Sequence, residues 1–463
     1  MKILHYTLGM PPFRSGGLTK YSLDIMYTEI CLGNEVYLLY PGEFSINKRT
    51  KIKKNTPKHG IKVYEIINPL PVSLLGGISD CNKFTININK EVYEKFLSEV
   101  KPDIIHIHTL MGLHREFLDV AKELNIKIIY TTHDYFGICP KVNLIDFKGE
   151  VCSDYNYGQR CLKCNYNSYS MIMIYIMQSK LYRLLKNNSV VKKIRTFKKN
   201  NIKSSNIISS DELDKIYLKN NDDYIKLRKY YLSMLEIMDY IHFNSTVAKE
   251  IYSNYINNLK GEVISITHSD IKISNRAKTH FNKSDKLRIS YLGPMEKYKG
   301  FYLLKESLDK LLEDGINNWK LNTYGDDSKI FTNNDNYENH GKYLYEDLSK
   351  IFENTDVVVV PSIWKETFGF IGLEALSHRV PVIISDNAGV KDVIKHYKTG
   401  IIFSPNVKNL SRLIENLVKD RKVLEEIQIN INELEFDFTI QKHTKDIIDL
   451  YERVISERAV MKC

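Results

Sequence analysis

Short runs of aliphatic, β-branched and aromatic residues recur along the chain, with stretches of helix length between them. In the first half they read KILHYT (2–7), EVYLLY (35–40), IKVYEII (61–67), DIIHIHT (103–109), KIIYTTH (127–133), YIHFNS (240–245) and EVISITH (262–268). A second set follows: LRISYLG (287–293), WKLNTYG (319–325), DVVVVPS (356–362), PVIIS (381–385) and GIIFS (400–404). Near-continuous apolar strands alternating with helices belong to parallel sheets, whose crossover helices bury both faces. Two such sets predict two doubly wound α/β domains. Polar and charged residues displace the apolar pattern in SDIKISNRAKTHFNKSDK (269–286), which marks a linker between a first domain, 1–268, and a second, 287–438. FDFTIQKHTKDIIDLYERVI (436–455) predicts a closing helical segment, placed in 439–463, and no repeat of solenoid period is present.

Between about residues 139 and 238 the alternation stops. In SMIMIYIMQSKLYRLLKN (170–187) the apolar residues Met171, Ile174, Tyr175, Met177, Leu181 and Leu184 fall close to helical spacing, and VVKKIRTFKKNNIK (190–203) follows. No Asp or Glu occurs from Asn165 to Ser210, whereas Lys180, Arg183, Lys186, Lys192, Lys193, Arg195, Lys198, Lys199 and Lys203 are basic. Such a run is either a solvated face over a packed one or a surface that meets anionic lipid.

Composition narrows the picture. A chain of 463 residues, 43% of them hydrophobic, supports two or three domains. The formal net charge of +10 points to an acidic partner without choosing among phosphate groups, an anionic membrane face and nucleic acid. The start, MKILHYTLGMPPF, is too short in apolar residues for a signal peptide, and no run reaches about 18 apolar residues, so a cytoplasmic protein is expected. Seven cysteines in a long chain read as reduced thiols. Cys139, Cys152, Cys161 and Cys164 contain one CxxC knuckle, which leaves a structural zinc site open beside independent thiols. Cys31, Cys81 and Cys463 look unrelated to it.

The chemistry concentrates in KETFGFIGLEALSHRVPVIIS (365–385), where Glu366 and Glu374 flank a stretch that is apolar or small apart from Thr367. After the buried strand DVVVVPS, GFIGLEALS reads as the start of a helix. Glu366 then sits on the loop at the strand's C-terminal end, where open parallel sheets bind ligands, and Glu374 lies about a turn into the helix. Gly369 and Gly372 let backbone N–H groups at the positive helix end approach a phosphate, and a carboxylate nearby can accept hydrogen bonds from vicinal hydroxyls. The arrangement suits a sugar nucleotide. Two acids of unspecified context would more often be a solvent-facing residue and a helix-start neighbour.

Here the context is specific. PSIWKETFGFIGLEALSHRVPVIISDNAGVKDVIKHYKTGIIF (361–403) resembles the donor-binding segment of family 4 glycosyltransferases, in which two Rossmann-like domains face a cleft in the GT-B fold. Glu366 and Glu374 match that family's Glu-x7-Glu motif. The resemblance implies that Glu374 holds ribose hydroxyls, that Glu366 holds the transferred sugar, and that Gly369, Phe370 and Ile371 belong to the donor site. GMPPFRSGGLTKYSLDI (9–25) resembles the family's N-terminal glycine loop through Gly16 and Gly17, and IIYTTHDYFGICP (128–140) brings His133 to the place of a histidine beside the reacting sugar.

RISYLGPMEKYKGFYLLKESL (288–308) resembles the family's strand, glycine loop at Gly293 and Lys-Gly turn, with Lys299 as the lysine that neutralises the leaving diphosphate. One departure is Pro294 where members commonly have Arg, leaving Lys297 or a distant Arg to supply the second cation. Another is His268-Ser269 in SITHSDI, in place of Asn-Gly, which bears on turn geometry.

The resemblance implies a retaining glycosyltransferase of bacterial surface-glycan type, moving a hexose or hexosamine from a nucleoside diphosphate sugar to a hydroxyl of a growing, lipid-linked glycan such as capsule or lipopolysaccharide. Uridine diphosphate is the expected nucleotide, with guanosine diphosphate second. No cofactor or metal is expected, and no Asp-x-Asp triplet occurs. The basic run within 165–203 makes an anionic membrane surface a candidate partner beside the solvated-face reading. The competing readings are a sugar-nucleotide-binding subunit with impaired catalysis, motivated by Pro294, and a nucleic-acid protein, for which no module is recognisable.

Overall fold

A computed structural model describes residues 1–47, 49–185, 188, 222–257, 259–274, 280–328 and 334–460. The basic positions from Lys186 to Lys203, and Cys463, lie outside the described residues. The chain divides into two compact units. The first comprises residues 1–243, 250–262 and 444–463, and the second comprises 244–249 and 263–443.

The first unit is built on an eight-stranded sheet of β1 (Lys2–Tyr6), β2 (Glu35–Pro41), β3 (Lys51–Lys54), β4 (Lys62–Ile67), β5 (Ile104–Ile107), β6 (Lys127–Thr131), β7 (Tyr240–Phe243) and β8 (Gly261–Val263). Their order is β3-β4-β2-β1-β5-β6-β7-β8. The chain winds outward in opposite directions from β1, so the topological switch lies between β1 and β5, where a doubly wound sheet opens to ligands. Six apolar runs become parallel strands, and EVISITH contributes only its start to β8. The pattern missed β3, whose sequence KIKK is mostly exposed and pairs antiparallel to β4. Lysines on an edge strand discourage pairing with other chains, and they also hide the strand from a search for apolar runs.

Helices α1 (Gly17–Cys31), α2 (Glu91–Val100) and α3 (Arg115–Glu123) belong to this unit. Within 139–238 the described elements are α4 (Gln159–Cys164), α5 (Met171–Met177), α6 (Lys180–Leu185) and α7 (Asp222–Glu236). α7 is part of the core: Leu227, Tyr231, Met234 and Leu235 are buried, and the Tyr231 hydroxyl donates to the Phe84 carbonyl at 2.8 Å. The helical spacing of 170–187 is realised as two short helices, α5 and α6. Ile174 is buried there, but Ile172, Tyr175, Ile176, Leu181, Leu184 and Leu185 are exposed. Arg183 is turned inward, to the buried Glu65 at 3.1 Å.

The second unit holds a six-stranded, wholly parallel sheet of β9 (Leu287–Leu292), β10 (Trp319–Tyr324), β11 (Tyr337–Asn339), β12 (Val357–Val360), β13 (Val382–Ser385) and β14 (Gly400–Phe403). The order β11-β10-β9-β12-β13-β14 puts the switch between β9 and β12. β11, a three-residue polar strand, is the other element the apolar pattern missed. The helices α8 (Thr246–Ser253), α9 (Phe301–Glu313), α10 (Leu348–Glu353), α11 (Phe370–Ser377), α12 (Val407–Lys419), α13 (Lys422–Asn432) and α14 (Ile440–Val460) complete the described fold. Tyr451 of α14 is fully buried in the first unit and donates to Glu29 of α1 at 3.1 Å.

Candidate active site

The loops leaving β9 and β12 bring the first group of residues together. After β9 the chain turns through Gly293 (φ 151°) into Pro294 and a short helical turn, Lys297–Lys299, which ends at Gly300. Gly300 has φ 79°, and a Cβ there would sit 1.7 Å from the Pro361 carbonyl oxygen just past β12. Only glycine fits this crossing, and it delivers Lys299 to the end of β12. Lys299 Nζ lies 2.6 Å from Glu366 Oε1 and 4.9 Å above the Trp364 ring. The other carboxylate oxygen of Glu366 accepts from the Ser362 hydroxyl. Burial pushes the Glu366 carboxyl up, but the Lys299 ammonium and the Ser362 hydrogen bond outweigh it and hold the group below the usual glutamate range. The Glu366 backbone is tied on both sides, its N–H donating to the Asn387 carbonyl and its carbonyl accepting from Gly389.

Gly369 (φ 95°) then begins α11, and a Cβ there would press to 3.2 Å on the Glu366 carboxyl carbon. Phe370 and Ile371 form the first turn, where the leading N–H groups lack helical partners. Glu374 follows on the same helix and is buried. His268 accepts the Asp270 N–H on Nδ1 at 3.3 Å, so Nε2 carries the proton and donates to Glu374 Oε1 at 3.2 Å. Among the described residues Glu374 Oε2 has no hydrogen-bond partner, although it is fully enclosed. The His268 ring is in turn held edge-on by Phe370 and Tyr345. The sequence suggested only a turn effect for His268; instead it orients the second acid of the motif. A histidine at the end of an apolar run was the available signal. Lys297 is exposed, with no ion pair among the described residues, beside the exposed Pro294.

Gly16, Gly17 and His133 belong to the first unit. Gly16 (φ 111°) precedes α1, and nothing lies within 4 Å of where its Cβ would be. Five residues on, Tyr21 packs its ring 4.8 Å from that of His133, which follows β6. Burial, with help from His242, pushes the His133 imidazole down to about 3, so it is neutral at pH 7.

The four cysteines of the 139–164 stretch are free thiols. Burial raises Cys161 to about 11 and Cys164 to about 12, and Arg228 donates to the Cys161 sulfur at 3.6 Å. Among the described residues, the side chains with metal-ligating atoms all within 4.8 Å of one another are His5, His106 and His108, rather than these cysteines.

Residues 272–433, which contain Lys299, Glu366 and Glu374, match the family described as "Glycosyl transferases group 1". The match covers 162 of the chain's 463 residues. An uncharacterized glycosyltransferase of Methanocaldococcus jannaschii is 26% identical to the chain over 212 residues, 41% of this chain and 53% of that protein. CapM of Staphylococcus aureus, a capsular polysaccharide biosynthesis glycosyltransferase, is 26% identical over 190 residues, 39% of this chain and 50% of that one. The chain spans about half the length of these relatives. Among solved structures, Anabaena HepE in complex with UDP superposes with a TM-score of 0.56 at 12% identity, covering 98% of this chain and 100% of that one. The two units thus have the GT-B fold.

Proposed function

We propose that the protein is a retaining glycosyltransferase that moves a hexose or hexosamine from a nucleoside diphosphate sugar, UDP-linked in the first instance, to a hydroxyl of a growing glycan. The observation that carries this reading is the pairing, on one loop and helix, of a neutralised acid and an unsatisfied one. Glu366 is bound to Lys299, whereas Glu374 is aimed by His268 and keeps a buried oxygen without a donor among the described residues. A buried carboxylate oxygen left unpaired costs about 1–3 kcal/mol, which a ligand hydroxyl recovers. In this reading Glu374 accepts from the ribose, Glu366 from the sugar, and Lys299 swings to the diphosphate as negative charge develops there. The leaving phosphate helps take the acceptor proton, so turnover needs no added divalent cation. The UDP held by HepE favours a UDP-linked donor, and the capsule role in the name of CapM favours a surface glycan as acceptor.

A thermal-shift panel of nucleotide sugars, followed by donor-hydrolysis and transfer assays in EDTA, tests the proposal. Stabilisation by one UDP-sugar, abolished in Glu374→Ala, is the expected result. Tight binding without hydrolysis or transfer would instead support an impaired donor-binding subunit, the reading that Pro294 motivates.

The exposed Ile172, Ile176, Leu181, Leu184 and Leu185, beside Lys180, favour docking of this face on an anionic membrane near a lipid-linked acceptor. Vesicles containing anionic lipid are expected to sediment the protein, and Leu181→Ser with Leu184→Ser to release it. No helix among the described residues is long and apolar enough to cross a membrane.

A further inference from the structure

The first sheet carries polar side chains where apolar ones are the rule. His5 pairs in register with His106, and Thr131 with His242. With His108 and Glu29 they are completely buried. His5 Nε2 is 2.7 Å from Glu29 Oε2, His5 Nδ1 is 3.0 Å from His108 Nε2, and His108 Nδ1 is 3.2 Å from His133 Nε2. His106 branches off, with its nitrogens 2.6 Å from Tyr451 and Thr131. Although His5, His106 and His108 come within a metal's reach of one another, every one of their ring nitrogens is already engaged in a hydrogen bond.

A neutral imidazole has one N–H and one lone pair, so a line of them has a direction. An ionised carboxylate only accepts. Glu29, which also accepts from Tyr451, therefore requires a His5 proton on Nε2, and a neutral His5 then accepts on Nδ1. His108 must then donate from Nε2 and accept on Nδ1, and His133 must donate from Nε2. Burial, with His106, His5, His133 and His242 nearby, keeps His108 neutral. Tyr21 faces both His108 and His133. A second proton on His5 would reverse each bond in turn.

We propose that Glu29, His5 and His108 are positioning residues that select the His133 tautomer protonated on Nε2, so that Nδ1 meets any donor only as an acceptor. On the transferase reading, on which the catalytic consequence rests, this lets His133 accept from a sugar hydroxyl.

The ring-nitrogen shifts of ¹⁵N-histidine-labelled full-length protein at pH 7 test the tautomer without donor or acceptor present. The wild type is expected to show His133 protonated on Nε2. Glu29→Gln, whose amide can donate to His5, is expected to mix or invert that tautomer and, on the transferase reading, to lower kcat by up to about 10⁴-fold. A wild-type His133 protonated on Nδ1 overturns the proposal even if Glu29→Gln does not fold. So does a folded Glu29→Gln with the His133 tautomer intact. Failure of the transferase assays would leave the spectra, and hence the tautomer, unaffected.

Discussion

On the transferase reading the donor chemistry turns on Lys299, whose ammonium is held by Glu366 and the Trp364 ring. Replacing Lys299 by Met keeps much of the side-chain volume and removes the charge. On the transferase reading, kcat falls by about 10²–10³-fold, as for loss of one group that stabilises developing charge, while the far-ultraviolet spectrum is unchanged. Both motif acids were legible in the sequence because they interrupt an apolar stretch at a strand-to-helix turn. His268 was less so. Its contact with Glu374 joins residues more than a hundred positions apart, and no local spacing encodes that pairing. Ser362 escaped for a related reason, since a serine after a strand is ordinary until its hydroxyl is seen on Glu366.

At the scale of elements, the turn from Lys297 to Gly300 and the start of α12 both lose stability on substitution, but only the first also loses turnover. Gly300→Ala must relieve both a left-handed φ and a collision with Pro361, so it is expected to lower stability by more than about 2 kcal/mol and to reduce turnover by displacing Lys299. The Asn406 side chain caps α12, accepting from Asn409 at 2.8 Å. Asn406→Ala is expected to cost about 1 kcal/mol in urea unfolding and to leave kcat unchanged. Parallel strands were readable because burial on both faces demands continuous apolar sequence. β3 and β11 were not, being short polar edges that rely on a neighbour's hydrogen bonds. The break between α5 and α6 was also hidden, since helical spacing alone does not reveal that half of the apolar positions stay exposed.

For the molecule as a whole, buried neutral histidines set the response to acid. Burial holds His114 at about 3 and His108 far below the usual range. Their unfolded counterparts take up protons near pH 6.5, so below that pH the unfolded state binds more protons and stability declines as the solution is acidified. Each contributes about 1.4 kcal/mol per pH unit once well below 6.5. Urea midpoints at pH 7 and pH 5 should show the decline, and His114→Gln should flatten it. The two-unit architecture was legible from the two sets of strands, whereas the polar network inside the first sheet was visible only as scattered histidines until the strand register brought them together. The contact between Lys299 and Glu366 also shapes the catalytic cycle on the transferase reading: the protein supplies its own stand-in for the departing diphosphate. Spent nucleotide must compete with a tethered carboxylate, which hastens its escape. Glu366→Gln is therefore expected to hold UDP more tightly in calorimetry even as it turns over more slowly, a product trap made by removing one negative charge.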